Sequence, residues 1–263
     1  MCGIVGAVAE RDVVHFLVDG LKRLEYRGYD SAGIAVLSDE IKRVRRTGRV
    51  SEMEGAAKDE SLTGHVGIGH TRWATHGGVT ELNAHPHISS GELALVHNGI
   101  IENFRELRDE LEKQGATFGS ETDTEVVAHL VTEEMKKGLS PVDAVRATLP
   151  RLRGAFALAF IFAGEDDLMI GARKGSPLAI GHGSDEMFLG SDAIALAPFT
   201  DTISYLEEGD SVVVRRNGVQ VFDAAGRSVE RAKIKTTGSA FLVDKGNHRH
   251  FMAKEIHEQP EVV

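Results

Sequence analysis

Cys2 has the clearest chemical potential in this sequence, because it is the only cysteine among 263 residues and directly follows Met1. Removal of Met1 is normal before a small side chain, so we expect Cys2 to become the N-terminal residue. It would then carry both a thiol and a free α-amine. These groups titrate near about 8.5 and about 7.7–8.0 in short peptides, so the amine can act as the base that activates the sulfur. The alternative is that Cys2 is a small buried hydrophobic residue in a first strand.

A second segment, residues 69–78 with the sequence GHTRWATHGG, combines several groups that can bind a small polar substrate. Arg72 could hold a carboxylate through two parallel hydrogen bonds, which a lysine cannot do. The structural alternative is a surface Arg72 that stacks on Trp73. The sequence leaves both interpretations open.

Two shorter segments supply candidate groups for binding charge. Asn98-Gly99 follows an apolar strand and is first of all a turn signal. Its functional interpretation pairs the Asn98 amide with the neighbouring backbone N–H to hold an oxyanion. Asp123 lies in the first turn of a predicted helix, where a carboxylate is ordinary. Its functional alternative is to bind a substrate ammonium group.

Composition limits the class of protein. Hydrophobic residues make up 41% of the chain and charged residues 27%, which is enough for a sizeable core. The formal net charge of −10 argues against a nucleic-acid partner. One cysteine excludes an internal disulfide and suits a reducing compartment. The longest apolar run, residues 155–163, is too short to span a membrane, and no basic residue precedes the N-terminal apolar stretch. We therefore expect a cytoplasmic protein without a membrane partner.

The elements that must position these residues are strand-length apolar runs and segments of helical periodicity. The predicted strands are residues 3–9, 33–37, 42–46, 66–70, 93–97, 156–162, 168–172, 178–180, 187–189, 203–206, 211–214 and 219–222. Helices are predicted after Asp12, around Phe104, after Thr122 and after Ser140. Strands on both sides of a helical block indicate an α+β fold of sheets packed with helices, not a βαβ repeat.

Three of the predicted helices carry start signals. We expect Asp12 to cap the first helix. Thr122 and Glu125 have the spacing of a capping box. Ser140-Pro141 places proline in the first turn of another helix.

Together these segments resemble the glutaminase domain of the N-terminal-nucleophile (Ntn), or class II, glutamine amidotransferases, specifically that of the glucosamine-6-phosphate synthases. The opening CGIVG of residues 2–6 is shared by several amidotransferases, whereas YRGYDS and TRWATHG are highly specific to the synthases. The matching tracts are residues 2–6, 24–33, 71–77, 83–87, 97–103, 120–126, 173–178 and 254–260, which together cover almost the whole chain.

The resemblance implies a role for each matched residue. Cys2 attacks the side-chain amide of glutamine, and its α-amine takes up the proton and returns it to the leaving ammonia. Asn98 and Gly99 form the oxyanion hole, and Arg27 orders the nucleophile. The implied substrate-binding residues are Arg72 for the α-carboxylate, Asp123 for the α-ammonium, Thr75, His76 and His85 in the same pocket, and Trp73 on a closing loop that helps direct ammonia onward. No metal or other cofactor is implied.

The resemblance also implies a fold and a larger context. The fold is a four-layer α/β/β/α sandwich of the Ntn-hydrolase type, with the glutaminase domain at residues 1–240. Residues 241–263, including a helical-looking stretch before Pro260, would lead toward a sugar isomerase domain that this sequence lacks. The parent enzyme, a homodimer, would use glutamine nitrogen to convert fructose 6-phosphate into glucosamine 6-phosphate. The fragment itself would only hydrolyse glutamine.

Rival interpretations remain open from the sequence. A Cys2 start also fits amidophosphoribosyltransferase and asparagine synthetase, although the former usually carries a Gln-His-Arg-Gly-Gln-type tract where residues 26–29 read YRGY. A metal-dependent hydrolase could be built on His70, His76, His85, His87 and His97, but no cysteine joins them and no acidic residue lies at ligand spacing within residues 66–91. A third possibility is a noncatalytic glutamine sensor.

Overall fold

In the computed structural model, which describes residues 2–236, two β-sheets face each other. The first sheet contains β1 (Gly3–Ala9), β2 (Ser31–Leu37), β3 (Ile41–Thr47), β4 (Val66–Arg72), β9 (Ala179–His182), β10 (Glu186–Gly190), β11 (Thr202–Tyr205) and β15 (Ile234–Lys235). The second contains β5 (His87–Ser89), β6 (Leu93–Ile101), β7 (Gly154–Phe162), β8 (Met169–Lys174), β12 (Ser211–Arg215), β13 (Gly218–Phe222) and β14 (Ser228–Val229). The expected domain boundary at residue 240 and the segment 241–263 lie outside the described residues.

The strand order places β1, β4 and β6 in sheet interiors. It is β15-β11-β9-β10-β1-β4-β2-β3 in the first sheet and β14-β13-β12-β8-β7-β6-β5 in the second. Neighbouring strands in both sheets pair antiparallel. The prediction of sheets with helices, and not of a βαβ repeat, is confirmed.

Helices cover the outer surface of each sheet. Those on the first sheet are α1 (Val14–Leu24), α2 (Val50–Asp59) and α6 (Ala193–Leu196), and those on the second are α3 (Phe104–Lys113), α4 (Thr124–Lys136) and α5 (Pro141–Thr148). One hydrophobic cluster lies under each helical layer, and a third lies between the sheets, where Ile4 and Ile68 meet Val96 and Ala157. The layers therefore run α/β/β/α, as expected. Within residues 2–236, no helix combines the length and apolar character needed to cross a membrane.

Burial on both faces explains why the strands read as unbroken apolar runs. Every residue of β1 is buried, with one face toward α1 and the other toward the second sheet. Helix α1 buries Leu17, Leu21 and Leu24 at spacings of four and three residues, together with the adjacent Phe16, which is one face of a helix. Hydrophobic periodicity alone therefore predicted these elements.

The three helices begin where these signals predict, but one predicted cap is absent, one is half formed and one is confirmed. Asp12 does not cap α1; its side chain accepts the N–H of Gly64 at 2.9 Å. Thr122 Oγ1 accepts the N–H of Glu125 at 3.4 Å, which is one of the two bonds of the predicted capping box. The carboxylate of Glu125 accepts the N–H groups of residues 119 and 120 at 2.8 and 2.7 Å and not that of Thr122, so the box is incomplete. Ser140 does cap α5, accepting from the N–H of Asp143 at 3.2 Å.

Asn98-Gly99 is not a turn. Strand β6 continues through both residues to Ile101, and they pair with Ala157 and Phe156 of β7. The long-range pairing with β7 overrides the local turn signal. Helix α2 was not predicted, although residues 50, 53, 56 and 57 form a buried helical face. The sequence also did not predict the short elements β5, α6, β14 and β15.

Candidate active site

Cys2 lies immediately before β1, which pairs with β4 and β10 in the middle of the first sheet. Its sulfur accepts the backbone N–H of Trp73 at 3.2 Å. Burial raises the pKa of the Cys2 thiol, and the Trp73 N–H opposes that change by stabilising the thiolate. A thiol with a raised pKa is protonated at neutral pH, so its use as a nucleophile requires a base.

Asn98 reaches across from the second sheet to the residue that carries the thiol. Its Nδ2 donates to the Cys2 carbonyl oxygen at 3.2 Å. The next residue, Gly99, has φ +124°, and a Cβ there would lie 2.0 Å from the carbonyl oxygen of Ala155. Only glycine fits at this point of β6, because both the backbone angle and the available space exclude a side chain.

Arg72 ends β4, and its buried guanidinium is held by the loop that follows. Nη1 donates to the Gly78 carbonyl at 3.1 Å, and Nη2 donates to the carbonyls of His76 and Gly77 at 2.5 and 3.3 Å. Asp30 lies 3.8 Å from Nη1 and also accepts the N–H of residue 74. The alternative of an Arg72 stacked on Trp73 at the surface is wrong, because the Arg72 side chain is only 4% exposed.

The loop after Arg72 carries three more predicted site residues. Trp73 is 53% exposed, and its ring lies so close to Gly28 that a Cβ there would be 2.7 Å from it. Thr75 is exposed. His76 is half-buried and meets Phe104 edge-on, with the ring centroids 5.1 Å apart. These side chains form the open side of the site.

Asp123 directly precedes α4 and points away from that helix. Its Oδ2 accepts the N–H of Ile101, the last residue of β6, at 2.8 Å. The Nδ1 of His97 lies 4.0 Å from the same oxygen. The side chain is 5% exposed, so Asp123 presents a nearly buried negative charge close to the end of β6.

Four neutral imidazoles form a buried cluster behind these groups. The cluster consists of His70, His85, His87 and His97. Burial lowers the pKa of His70 and of His87 to about 3, and it lowers the pKa of His85 and of His97 as well. Thr124 Oγ1 lies between His85 Nε2 at 2.8 Å and His97 Nδ1 at 2.9 Å. No three metal-ligating side chains converge anywhere in residues 2–236, so the metal-hydrolase alternative lacks a ligand set there.

A narrow cavity brings most of the predicted site together. It leaves about 10 Å³ for the centre of a water molecule, which is space for roughly one water. Its lining residues are Cys2, Arg72, Trp73, Thr75, His76, His85, His97, Gly99, Thr122, Asp123 and Thr124. Asn98 contacts Cys2 beside the cavity. Arg27 does not line it; its guanidinium pairs with Asp192 at 3.0 Å and lies beside Tyr26.

The sequence assigns no glutamine-site role to His70, Thr122, Thr124 or Asp30. It offers His70 only as the end of a predicted strand and as a possible metal ligand, and Thr122 only as part of a capping box. Asp30 lies inside the YRGYDS tract, and the specificity of that tract is the one sequence feature that could have indicated a role for Asp30. Thr124 offered no signal, because its importance comes from two histidines that are distant in sequence.

Comparison with known proteins agrees with this arrangement. A family model described as a glutamine amidotransferase domain matches residues 70–198. Relatives named glutamine–fructose-6-phosphate aminotransferase (isomerizing) align with the full chain at 61% identity in Mesorhizobium japonicum, 63% in Bradyrhizobium diazoefficiens and 58% in Rhizobium meliloti. The chain spans only 43% of the length of each of these relatives.

Solved structures share the fold. A glutamine phosphoribosylpyrophosphate amidotransferase from B. subtilis superposes with a TM-score of 0.74 at 27% identity, over 86% of this chain and 50% of that one. A class-II glutamine aminotransferase domain protein from Silicibacter pomeroyi, at 17% identity and a TM-score of 0.58, has a similar fold over 84% of this chain and 99% of its own.

The two facing sheets, with a cysteine at the start of a central strand, define a class II glutamine amidotransferase domain of the Ntn-hydrolase fold. Within that class, the chain belongs to the glutamine–fructose-6-phosphate aminotransferase family, and it corresponds to the N-terminal amidotransferase domain of those enzymes. The phosphoribosylpyrophosphate amidotransferase is a structural neighbour at much lower identity.

Proposed function

We propose that this chain hydrolyses the side-chain amide of L-glutamine to glutamate and ammonia, with Cys2 as the nucleophile. The observation that supports this most directly is the shared cavity of Cys2, Arg72, Gly99 and Asp123. A guanidinium and a carboxylate complement the α-carboxylate and α-ammonium of glutamine, and the thiol is the group that can attack its amide. Trp73, Thr75, His76 and His85 complete the binding residues of the proposal, which includes no cofactor.

In the proposed first step the Cys2 sulfur attacks the amide carbon of glutamine. The Asn98 amide and the Gly99 N–H stabilise the negative charge on the amide oxygen. Asn98 has a donor for this, because Nδ2 carries two hydrogens and the Cys2 carbonyl takes only one. The carbon–nitrogen bond then breaks, and nitrogen leaves as ammonia with the proton that the sulfur gave up. Water hydrolyses the remaining thioester to glutamate and restores the thiol.

The proposed base is the α-amine of Cys2, free after removal of Met1. The raised pKa of the thiol supports the need for such a base. Arg27 would act at a distance, because its pairing with Asp192 secures the turn that leads from α1 toward β2. The name and length of the relatives support a larger proposal, in which an isomerase part uses the ammonia to convert fructose 6-phosphate into glucosamine 6-phosphate. That the parent enzyme is a cytoplasmic homodimer stays a prediction from the family resemblance alone.

Substitution of the nucleophile tests the proposed function. Cys2→Ala is expected to lower ammonia release at least ~1000-fold, because no other thiol exists in the chain. Cys2→Ser should also be severely impaired, since a hydroxyl is harder to ionise than a thiol. Ammonia release and calorimetric glutamine binding are measured on the same samples. Normal turnover by Cys2→Ala would overturn the mechanism. Glutamine binding by the unsubstituted protein without any ammonia release would instead favour a noncatalytic glutamine sensor.

Retention of Met1 tests the base. In a sample that keeps Met1, the Cys2 nitrogen is an amide and accepts no proton near neutral pH, so turnover should be almost absent. Methionine aminopeptidase should restore turnover in proportion to the Met1 lost, as followed by intact mass. Full activity with Met1 retained would exclude the α-amine as the base, and His76 or His97 would become the candidates.

A further inference from the structure

The Asn98 side chain connects the two sheets at the point where the proposed reaction occurs. Its backbone belongs to β6 in the second sheet, but both of its side-chain contacts are to the first sheet. Nδ2 donates to the Cys2 carbonyl at 3.2 Å, and Oδ1 lies 3.0 Å from His70 Nε2. The direction in which the Asn98 amide faces is therefore set by Cys2 and His70.

These contacts determine where the protons are. A carbonyl oxygen only accepts hydrogen bonds, so the Asn98 atom that faces Cys2 must be the NH₂ group. The amide oxygen then faces His70, and an oxygen cannot donate. His70 must accordingly carry its hydrogen on Nε2 and donate it to Asn98.

We propose that His70 is a positioning residue that keeps the Asn98 amide in the orientation required to stabilise the oxyanion. Rotation of the amide by 180° would replace the donor beside the sulfur with an oxygen, which would repel the negative charge of the intermediate. The His70 N–H prevents that rotation because it holds the amide oxygen. This inference rests on the proposed glutaminase function.

The environment of His70 suits this task. The residue is fully buried in β4, between β1 and β2, where it pairs with Ile4 and Gly33. Its ring lies against that of His85, with the centroids 4.3 Å apart. A ring held on a central strand and against a neighbouring ring has one orientation, so its N–H is a fixed reference for the Asn98 amide.

Two substitutions of His70 by an amide side chain test whether the N–H must lie at the Nε2 position or whether any polar group at residue 70 is enough. His70→Gln can place an N–H close to the former Nε2 position, whereas His70→Asn is one methylene shorter and does not reach Asn98. We expect His70→Asn to lower kcat for ammonia release about 10- to 100-fold with little change in KM. His70→Gln should recover most of that loss. Thermal unfolding of both variants shows that each is folded at the assay temperature.

Two controls distinguish positioning from loss of structure. His87→Asn alters the same buried cluster, but His87 contacts Thr122 and not Asn98, so its kcat should stay within about threefold of the unsubstituted protein. In an Asn98→Ala background, His70→Asn should lower kcat by less than about threefold, because residues that act through one contact are not additive.

Three results would overturn the inference: equal kcat losses for His70→Gln and His70→Asn, a matching loss for His87→Asn, or a full additional loss in the Asn98→Ala background. These experiments distinguish failure of the His70 role from failure of the proposed glutaminase function. If the unsubstituted protein releases no ammonia, the function itself fails. If Asn98→Ala is impaired but His70→Asn is not, only the role of His70 fails.

Discussion

The candidate site has two parts that are held in different ways. The strand part consists of Cys2, Asn98 and Gly99, whose backbones belong to or adjoin central strands of the two sheets. The loop part consists of Arg72 and residues 73–78, which include the exposed Trp73. Sheet pairing fixes the strand part, whereas the loop part is held mainly by its own hydrogen bonds to Arg72.

This difference separates the groups proposed for chemistry from those proposed for binding. The strand part needs no rearrangement to present the Asn98 amide beside Cys2. In the loop part, three carbonyl groups occupy the Arg72 donors that a substrate carboxylate would need. Glutamine binding at Arg72 therefore requires the loop carbonyls to give up some of these bonds, and the narrowness of the cavity points to the same movement.

The largest expected effect concerns the buried histidine cluster that supports the strand part. Its pKa values are lowered, to about 3 for His70 and His87, so between pH 3 and 6.5 the unfolded chain binds protons that the folded chain does not. The cluster therefore makes its full contribution to the free energy of unfolding above about pH 6.5, and this contribution falls as the pH decreases. His70 and His87 each contribute up to about 1.4 kcal/mol per pH unit, so together they give about 3 kcal/mol per unit near pH 5. The lowered pKa values of His85 and His97 act in the same direction.

Urea unfolding at pH 7.5, 6.5 and 5.5 measures this slope. His70→Gln removes one titrating group and should reduce the total fall in the free energy of unfolding between pH 7.5 and 5.5 by about 1.4 kcal/mol. His15→Gln, at an exposed side chain of α1, is the surface control. A free energy of unfolding that stays constant from pH 7.5 to 5.5 would contradict the buried neutral cluster.

The next largest effect separates the two parts of the site by kinetics. Asn98→Ala removes a proposed oxyanion donor from the strand part and should lower kcat about 100- to 1000-fold, with little change in KM. Asn83→Ala is the matched variant for the loop part: Asn83 lies outside that part but holds it, because Asn83 Nδ2 donates to the Gly78 carbonyl at 3.0 Å. It should raise KM and leave kcat nearly unchanged. If both substitutions changed only kcat, or both changed only KM, the strand part and the loop part would not differ in their roles.

The strand part was only partly predictable from the sequence. Long apolar runs predicted β1, β4, β6 and β7, because strands buried on both faces leave no other pattern. Asn98-Gly99 was expected first as a turn, and no local signal shows that β7 continues alongside it. The resemblance to the amidotransferases identified Asn98, but it carried no information on which neighbour holds its amide.

The histidine cluster was not predictable for a similar reason. His70 and His97 belong to different sheets, and nothing in their spacing shows that the sheets face each other there. The same residues were read as possible metal ligands. Thr124 Oγ1 lies beside both His85 and His97, and Thr122 Oγ1 lies beside His87. These hydroxyls come close to the imidazoles because α4 packs on the second sheet.

The smallest of these effects belongs to the loop part and tests whether Arg72 both holds the loop and binds substrate. Arg72→Lys keeps the positive charge but loses the planar guanidinium that spans three carbonyls and can bind a carboxylate bidentately. We expect KM for glutamine to rise about 10- to 100-fold, which corresponds to one or two charge-assisted hydrogen bonds, while kcat stays within about threefold. Arg11→Lys, in an exposed pair with Glu186, is the control and should change neither constant. A lower kcat with unchanged KM for Arg72→Lys would place Arg72 in the chemical step. It would contradict the assignment of chemistry to the strand part and of substrate binding to the loop part.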